Sequence, residues 1–126
     1  MRFQLGLCSG TLALVLMATA AWGETRLPGA QIDARVSGNT LTIITKDLQE
    51  ARGYFIPDGS LKGRDGNQDF EGKWRVLDDM LCWDIPQFEH EICRTVVERG
   101  DSLFLFTQTG EPAGRINVTK GNPDQY

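Results

Sequence analysis

Gly72-Lys73-Trp74-Arg75-Val76-Leu77-Asp78-Asp79-Met80-Leu81-Cys82-Trp83-Asp84 is the stretch that decides the fold. Trp74 and Val76 fall on one face of an extended chain and Lys73 and Arg75 on the other, the alternation of a strand with one wet side. Asp78-Asp79 turns the chain into a second strand, Met80 to Asp84. A loop, Ile85-Pro86-Gln87-Phe88-Glu89-His90, leads to a third over 91–97, which carries Cys93 back toward Cys82. A disulfide between these two would lie near the facing ends of one hairpin and pin its register. By closing a 12-residue loop it would stabilise the fold by roughly 3 kcal/mol, through lost freedom of the unfolded chain.

The same rhythm extends outward in both directions. Segment 40–45 is a strand rich in β-branched residues. Segment 51–56 carries Tyr54 and Phe55 and ends at Pro57-Asp58-Gly59-Ser60. Proline presets φ at the entry of that turn and glycine takes the left-handed corner, so 61–65 is the return strand. Glu98-Arg99-Gly100-Asp101 and Thr109-Gly110-Glu111-Pro112 bracket two more strands, 102–107 and 113–118. Segment 102–107 (Leu103, Phe104, Leu105, Phe106) is apolar on both faces, which places it centrally or under a helix. Before all of these, 29–36 alternates at Ile32, Ala34 and Val36 as a strand would, but Gly38-Asn39 after it resembles a helix stop, and one short helix is the expectation. The segment 121–126 reads as a loose tail. Eight short strands joined by short connections must pair antiparallel, and such a meander removes its edges by closing. The expected fold is mainly β, a small antiparallel eight-stranded barrel or barrel-like sandwich with one short N-terminal helix. Trp74, Leu81, Trp83, Ile92 and Phe104 are expected to fill its interior and leave no large ligand cavity.

The N-terminus has the three parts of a secretory signal: a basic start (Met1, Arg2), an apolar run densest over 12–17, and small residues ending at Gly23. The run is interrupted by Ser9, Gly10 and Thr11 and falls short of the ~20 residues that span a bilayer. Cys8 precedes most of it, unlike the cysteine of a lipoprotein signal. The expectation is a signal peptide over 1–23 and a single β domain over 24–126, periplasmic or secreted, with no membrane insertion after cleavage. In such a compartment Cys82 and Cys93 oxidise. The leader holds one arginine and no acid, which leaves 12 basic against 17 acidic residues and shifts the net charge from −4 to −5. A mildly acidic surface with neither a basic stripe nor a basic amphipathic helix argues against nucleic acid and anionic lipid.

Chemistry-bearing patterns are sparse. The sole histidine, His90, stands between Glu89 and Glu91 with no second ligand or base at a useful spacing. Asp65-Gly66-Asn67-Gln68-Asp69 opens like a calcium loop. The loop, however, needs glycine where Phe70 stands and a bidentate carboxylate where Val76 stands. Asp78-Asp79 sits in a turn where the carboxylates splay. No dinucleotide fingerprint, phosphate loop or nucleophile elbow occurs. Catalytic residues, metal ligands and cofactors are therefore expected to be none. Trp83, Asp84, Phe88 and His90, in or beside the stapled loop, form the candidate interaction loop, since aromatic anchors on a rigid loop suit contact with a protein.

Ser37-Gly38-Asn39-Thr40, Tyr54-Phe55 with Asp58-Gly59, Gly72-Lys73-Trp74 with Leu81-Cys82, Cys93, and Gly121-Asn122-Pro123 together carry a resemblance. Over most of 31–123 the chain resembles small exported proteins of unknown function from Gram-negative bacteria, especially alphaproteobacteria, that share a Gly-x-Trp and a two-cysteine pattern. The resemblance implies a short helix before the first strand. Some of those proteins carry a reductase label tied to dihydrodipicolinate, but the nucleotide-binding residues such an activity needs are missing here. In size, export and single disulfide, the scaffold is also similar to small periplasmic β-barrels that inhibit lysozyme or proteases; no inhibitory motif matches residue by residue. The expected function is a non-catalytic exported barrel that binds a protein or cell-envelope component, inhibitor-like in mode. The alternative is a small-ligand carrier of the lipocalin type, which would require a lined cavity.

Overall fold

The computed structural model describes residues 24–126; the expected signal segment and Cys8 lie outside the described residues. A two-residue strand β1 (Thr25–Arg26) leads to a helix α1 (Gly29–Val36). Eight strands follow: β2 (Asn39–Thr45), β3 (Glu50–Phe55), β4 (Ser60–Asp65), β5 (Gln68–Leu77), β6 (Met80–Asp84), β7 (Ile92–Arg99), β8 (Ser102–Phe106) and β9 (Pro112–Lys120). From β2 to β9 each strand pairs antiparallel with the next, and β9 returns to β2 to close the barrel. The closing seam runs from Asn39↔Lys120 to Thr45↔Gly114. The architecture is thus the closed form of the expected fold, with the helix where it was expected.

β1 is the element that alternation did not reveal, being only two residues long. β6 pairs with β7 only at Leu81↔Arg94, Cys82↔Cys93 and Trp83↔Ile92. Beyond Arg94 the edge of β7 would be bare. β1 takes that place through Thr25↔Glu98 and Arg26↔Val97, and Leu27 N–H donates to the Val96 carbonyl (2.8 Å).

The helix closes one end of the barrel. Ile32 and Val36, four residues apart on one face, are buried in the core with Leu27. Pro28 precedes the first turn and offers no capping side chain. Gly29 N–H instead donates to Asp79 Oδ1 (2.7 Å) from the β5–β6 turn. Asp78 and Asp79 both have positive φ (50° and 57°), as both central residues of a type I′ hairpin turn must. The Asp79 carboxylate thereby caps the helix from the turn. At the other end of α1, Gly38 (φ 78°) turns the chain and donates to the Phe55 carbonyl (2.8 Å).

In this half the interior is filled by large side chains. The Phe55 and Trp74 rings meet edge to face at 5.7 Å, and Trp74 Nε1–H donates to the Ile56 carbonyl (2.8 Å). Trp74, Leu81 and Trp83 are core as expected, and Ile92 packs against the core half-buried. Phe104 is not. Along β8 it is Leu103 and Leu105 that face inward, while Phe104 and Phe106 stand on the outer wall beneath the Arg99 guanidinium, 5.0 and 5.7 Å from their ring centres. The two-faced apolarity of this segment reflects a cation over aromatic rings, since α1 packs on β2, β5 and β6.

The C-terminal segment is tied down rather than loose. Gly121 N–H donates to Asn39 Oδ1 (3.0 Å) and its carbonyl accepts from Thr40 Oγ1 (2.7 Å). Asp124 pairs with Arg52 at 2.7 Å, which raises the Arg52 pKa mainly through that hydrogen bond. Residues 121–126 thereby cover Thr40 and Thr42, the two buried polar side chains of the outer wall.

Gly53 and Gly63 face each other across β3 and β4 with the Phe70 ring between them and the interior. A Cβ at Gly63 would lie 2.1 Å from the Arg52 carbonyl oxygen and 2.7 Å from Phe70 Cζ. Gly63→Ala should therefore destabilise the barrel by about 1–3 kcal/mol. A urea titration checks this: the midpoint falls while the slope is retained.

Candidate functional site

At the end of the barrel opposite α1 the wall residues shrink. Ala51 on β3 and Ala113 on β9 occupy inward positions, and beside them lies an open cavity of about 330 Å³. All eight barrel strands contribute to its lining, with Leu41, Ile43, Phe70, Trp83, Ile92 and Leu105 supplying the apolar surface. This corrects the expectation of a filled interior. Of the bulky residues expected to fill it, Trp74 and Leu81 are core, Trp83 and Ile92 form walls of the cavity, and Phe104 faces outward.

Ionisable side chains ring the mouth. Asp47 and Glu50 come from the β2–β3 hairpin, Asp65 from the inner face of β4, and Arg94 from the inner face of β7. The loop 85–91 forms one side of the rim. Ile85 is buried, Phe88 N–H donates to the Ile85 carbonyl (3.1 Å), and the Phe88 ring lines the opening while 43% exposed.

The disulfide fixes this loop. Cys82 and Cys93 are direct cross-strand partners, bonded with S–S 2.03 Å, on the outer face of β6 and β7. Their chain neighbours Trp83 and Ile92 are the next partners and point into the cavity. Beside the bond, Arg75 clamps Glu91 with two hydrogen bonds, 2.9 and 2.7 Å. The hydrogen bond from Arg75 holds the Glu91 carboxyl below its ordinary pKa, and the same pairing raises that of Arg75.

The candidate interaction loop is thus divided. Trp83 turns inward as a cavity wall, whereas Asp84, Phe88 and His90 remain exposed. The Asp-x-Asn-x-Asp stretch is the β4–β5 hairpin. Gly66 takes positive φ (62°) in a two-residue turn between Asp65 and Gln68, Asp69 pairs with Arg64 (2.9 Å), and Glu71 lies 3.9 Å from Lys62. Among the described residues, one cluster has three potential metal-ligating side chains close together: Cys82, Glu91 and Cys93. Its two sulfurs are bonded to each other.

Comparison with protein-family models, with curated proteins and with solved structures found no match to this chain. Among the described residues no helix is long and apolar enough to cross a membrane. The site and the fold define a small disulfide-bonded β-barrel with one plugged and one open end.

The Arg75–Glu91 pair gives a pH prediction. A carboxyl whose pKa is lowered on folding stabilises the fold above its unfolded pKa of about 4.3, and that contribution is lost as pH falls through the lower folded value. In an NMR titration, Glu91 should titrate below the ordinary range for a glutamate. Arg75→Met should return it to the ordinary range, so that the loop's acid-induced changes begin at higher pH.

Proposed function

We propose that this chain is an exported, non-catalytic barrel that binds a small apolar or amphipathic ligand inside its open end. The observation that carries this reading is the apolar cavity itself. Ligand pockets run from about 300 Å³ upward, with mainly hydrophobic lining and a few polar groups, and the space described above meets that description at its lower end. A cavity of about 150 Å³ accommodates benzene, so the fitting ligand has roughly twice that apolar bulk.

Energetics support the same reading. The wall of such a space forgoes contacts that a packed interior would make. Domains of this size have only about 5–15 kcal/mol in hand. Space of this kind is costly to keep and is recovered when a ligand occupies it.

Export to the periplasm or beyond accords with the disulfide, since such bonds persist in oxidising compartments. A protein or envelope component docking on the rim at Phe88 is the rival reading. It has the exposed ring in its favour, but Trp83 supplies its surface to the interior.

A neutral fluorescent apolar probe such as 1-aminoanthracene separates the two. The cavity reading expects saturable one-to-one binding that is lost in Ala113→Phe, which fills the open end, with little change in the far-ultraviolet circular dichroism. Absence of saturable binding, or binding untouched by Ala113→Phe, would count against it.

A further inference from the structure

Arg94 is the exception in an apolar wall. It pairs in register with Leu81, which is fully buried, and its neighbours on the same face of β7 are Ile92 and Val96, both packed into the core. The alternation of a strand therefore directs Arg94 to the interior, and it lines the cavity. Five other arginines, Arg35, Arg52, Arg64, Arg75 and Arg99, each have a carboxylate partner. Among the described residues Arg94 has none, and its hydrogen bond there is from Nη1 to the Cys93 carbonyl oxygen (2.9 Å). Arg26 and Arg115 also lack a carboxylate partner among the described residues, but both stand exposed on the outer wall.

We infer that the ligand of the open end is an amphipathic monocarboxylate whose headgroup is bound by Arg94 and whose apolar body lies against Trp83, Phe70 and Leu105. This deepens the proposed ligand-binding function and rests on it. A guanidinium carries five N–H donors in a planar fork, stays charged at any ordinary pH, and matches a carboxylate with two parallel hydrogen bonds. Such charge-assisted bonds are strengthened in partly desolvated sites. Half-buried against an apolar wall, with one carbonyl bond made, Arg94 has donors left for a ligand oxygen pair.

The acids of the mouth add selectivity. Asp47, Glu50 and Asp65 belong to β2, β3 and β4 and their hairpins, where the lining's other arginine, Arg52, is already paired with Asp124, whereas Arg94 stands on β7, across the barrel ring. One negative charge can be placed on the β7 side, but a second at the far end of the ligand would meet carboxylates, and like charges repel strongly at short range. The site therefore accepts a single carboxylate and disfavours a dicarboxylate of the same length.

The test compares decanoate, decanol and decanedioate by isothermal titration calorimetry on the protein with its disulfide intact. Decanoate is expected to bind about tenfold or more tightly than decanol, the size of a hydrogen bond to a charged group, and decanedioate more weakly than decanoate. Arg94→Met should abolish the advantage over decanol, and Arg94→Lys should restore part of it. Equal binding of decanoate and decanol by the unaltered protein, or a decanoate preference that survives in Arg94→Met, would overturn the role of Arg94 and leave the cavity reading standing. Should neither decanol nor decanoate bind, the cavity reading itself falls and this inference with it. The comparison on the unaltered protein decides the question even if the Arg94 variants fail to fold.

Discussion

The pairing of β2 with β9 is the constraint on which the rest of the structure depends. Every other ladder in the barrel joins neighbours along the chain, so each is a local hairpin, set by a tight turn or, between β6 and β7, by the loop 85–91. The β2–β9 seam joins strands at opposite ends of the domain and pays the loop-closure entropy of everything between them. Without it the sheet would expose two bare edges and the interior would have no enclosed volume. The side chains gathered at the seam suit that burden. Asn39 donates from Nδ2 to the Arg35 carbonyl at the end of α1 and accepts through Oδ1 from Gly121 at the end of β9. One residue thus ties helix, first barrel strand and last barrel strand together. Thr40 and the Arg52–Asp124 pair extend the same fastening outward.

Closing at one end has a consequence at the other. With α1 seated over β2, β5 and β6, the large residues Phe55, Trp74, Ile32 and Val36 fill the plugged half to ordinary core packing. The open half has no such plug, and its inward positions include large rings and the small residues Ala51 and Ala113. Gly53 and Gly63 let the Phe70 ring sit close to the backbone of β3 and β4. The cavity therefore lies beside the small alanines of the strands, whereas a single added methyl group at Gly63 would meet backbone before it met empty space.

Most of the fold was legible because strand and turn chemistry repeat without interruption. The Pro57-Asp58-Gly59-Ser60 turn, the Asp78-Asp79 turn and the Cys82–Cys93 pairing all lie where the sequence placed them. Segments far apart in the chain meet in space: Asn39 and Thr40 touch Gly121, Phe55 meets Trp74 edge to face, and Trp74 N–H donates to the Gly59 carbonyl (2.9 Å). What escaped had physical causes. Hydrophobicity alone points Phe104 inward, yet an arginine covers its outward ring. The composition of the C-terminal segment suggests a loose tail, although its polar groups find partners across the seam. Local sequence says which residues alternate but not which half of a barrel a given strand position occupies, so the cavity was not visible.

The open end needs rigidity where the closed end needs packing, and its rim receives it from outside the barrel. Two covalent and ionic ties, Cys82–Cys93 and Arg75–Glu91, lie on the outer face of β5, β6 and β7, directly behind Trp83, Ile92 and Arg94. Residues on the two faces of a strand share a backbone, so holding Cys93 in place holds its neighbours Ile92 and Arg94 in place as well. A site that must present one guanidinium at a fixed height above an apolar wall gains from that arrangement, because a positioned group loses less entropy when it binds. The staple that reads as a fold-stabilising device in so small a domain is, by its location, also the support of the cavity mouth.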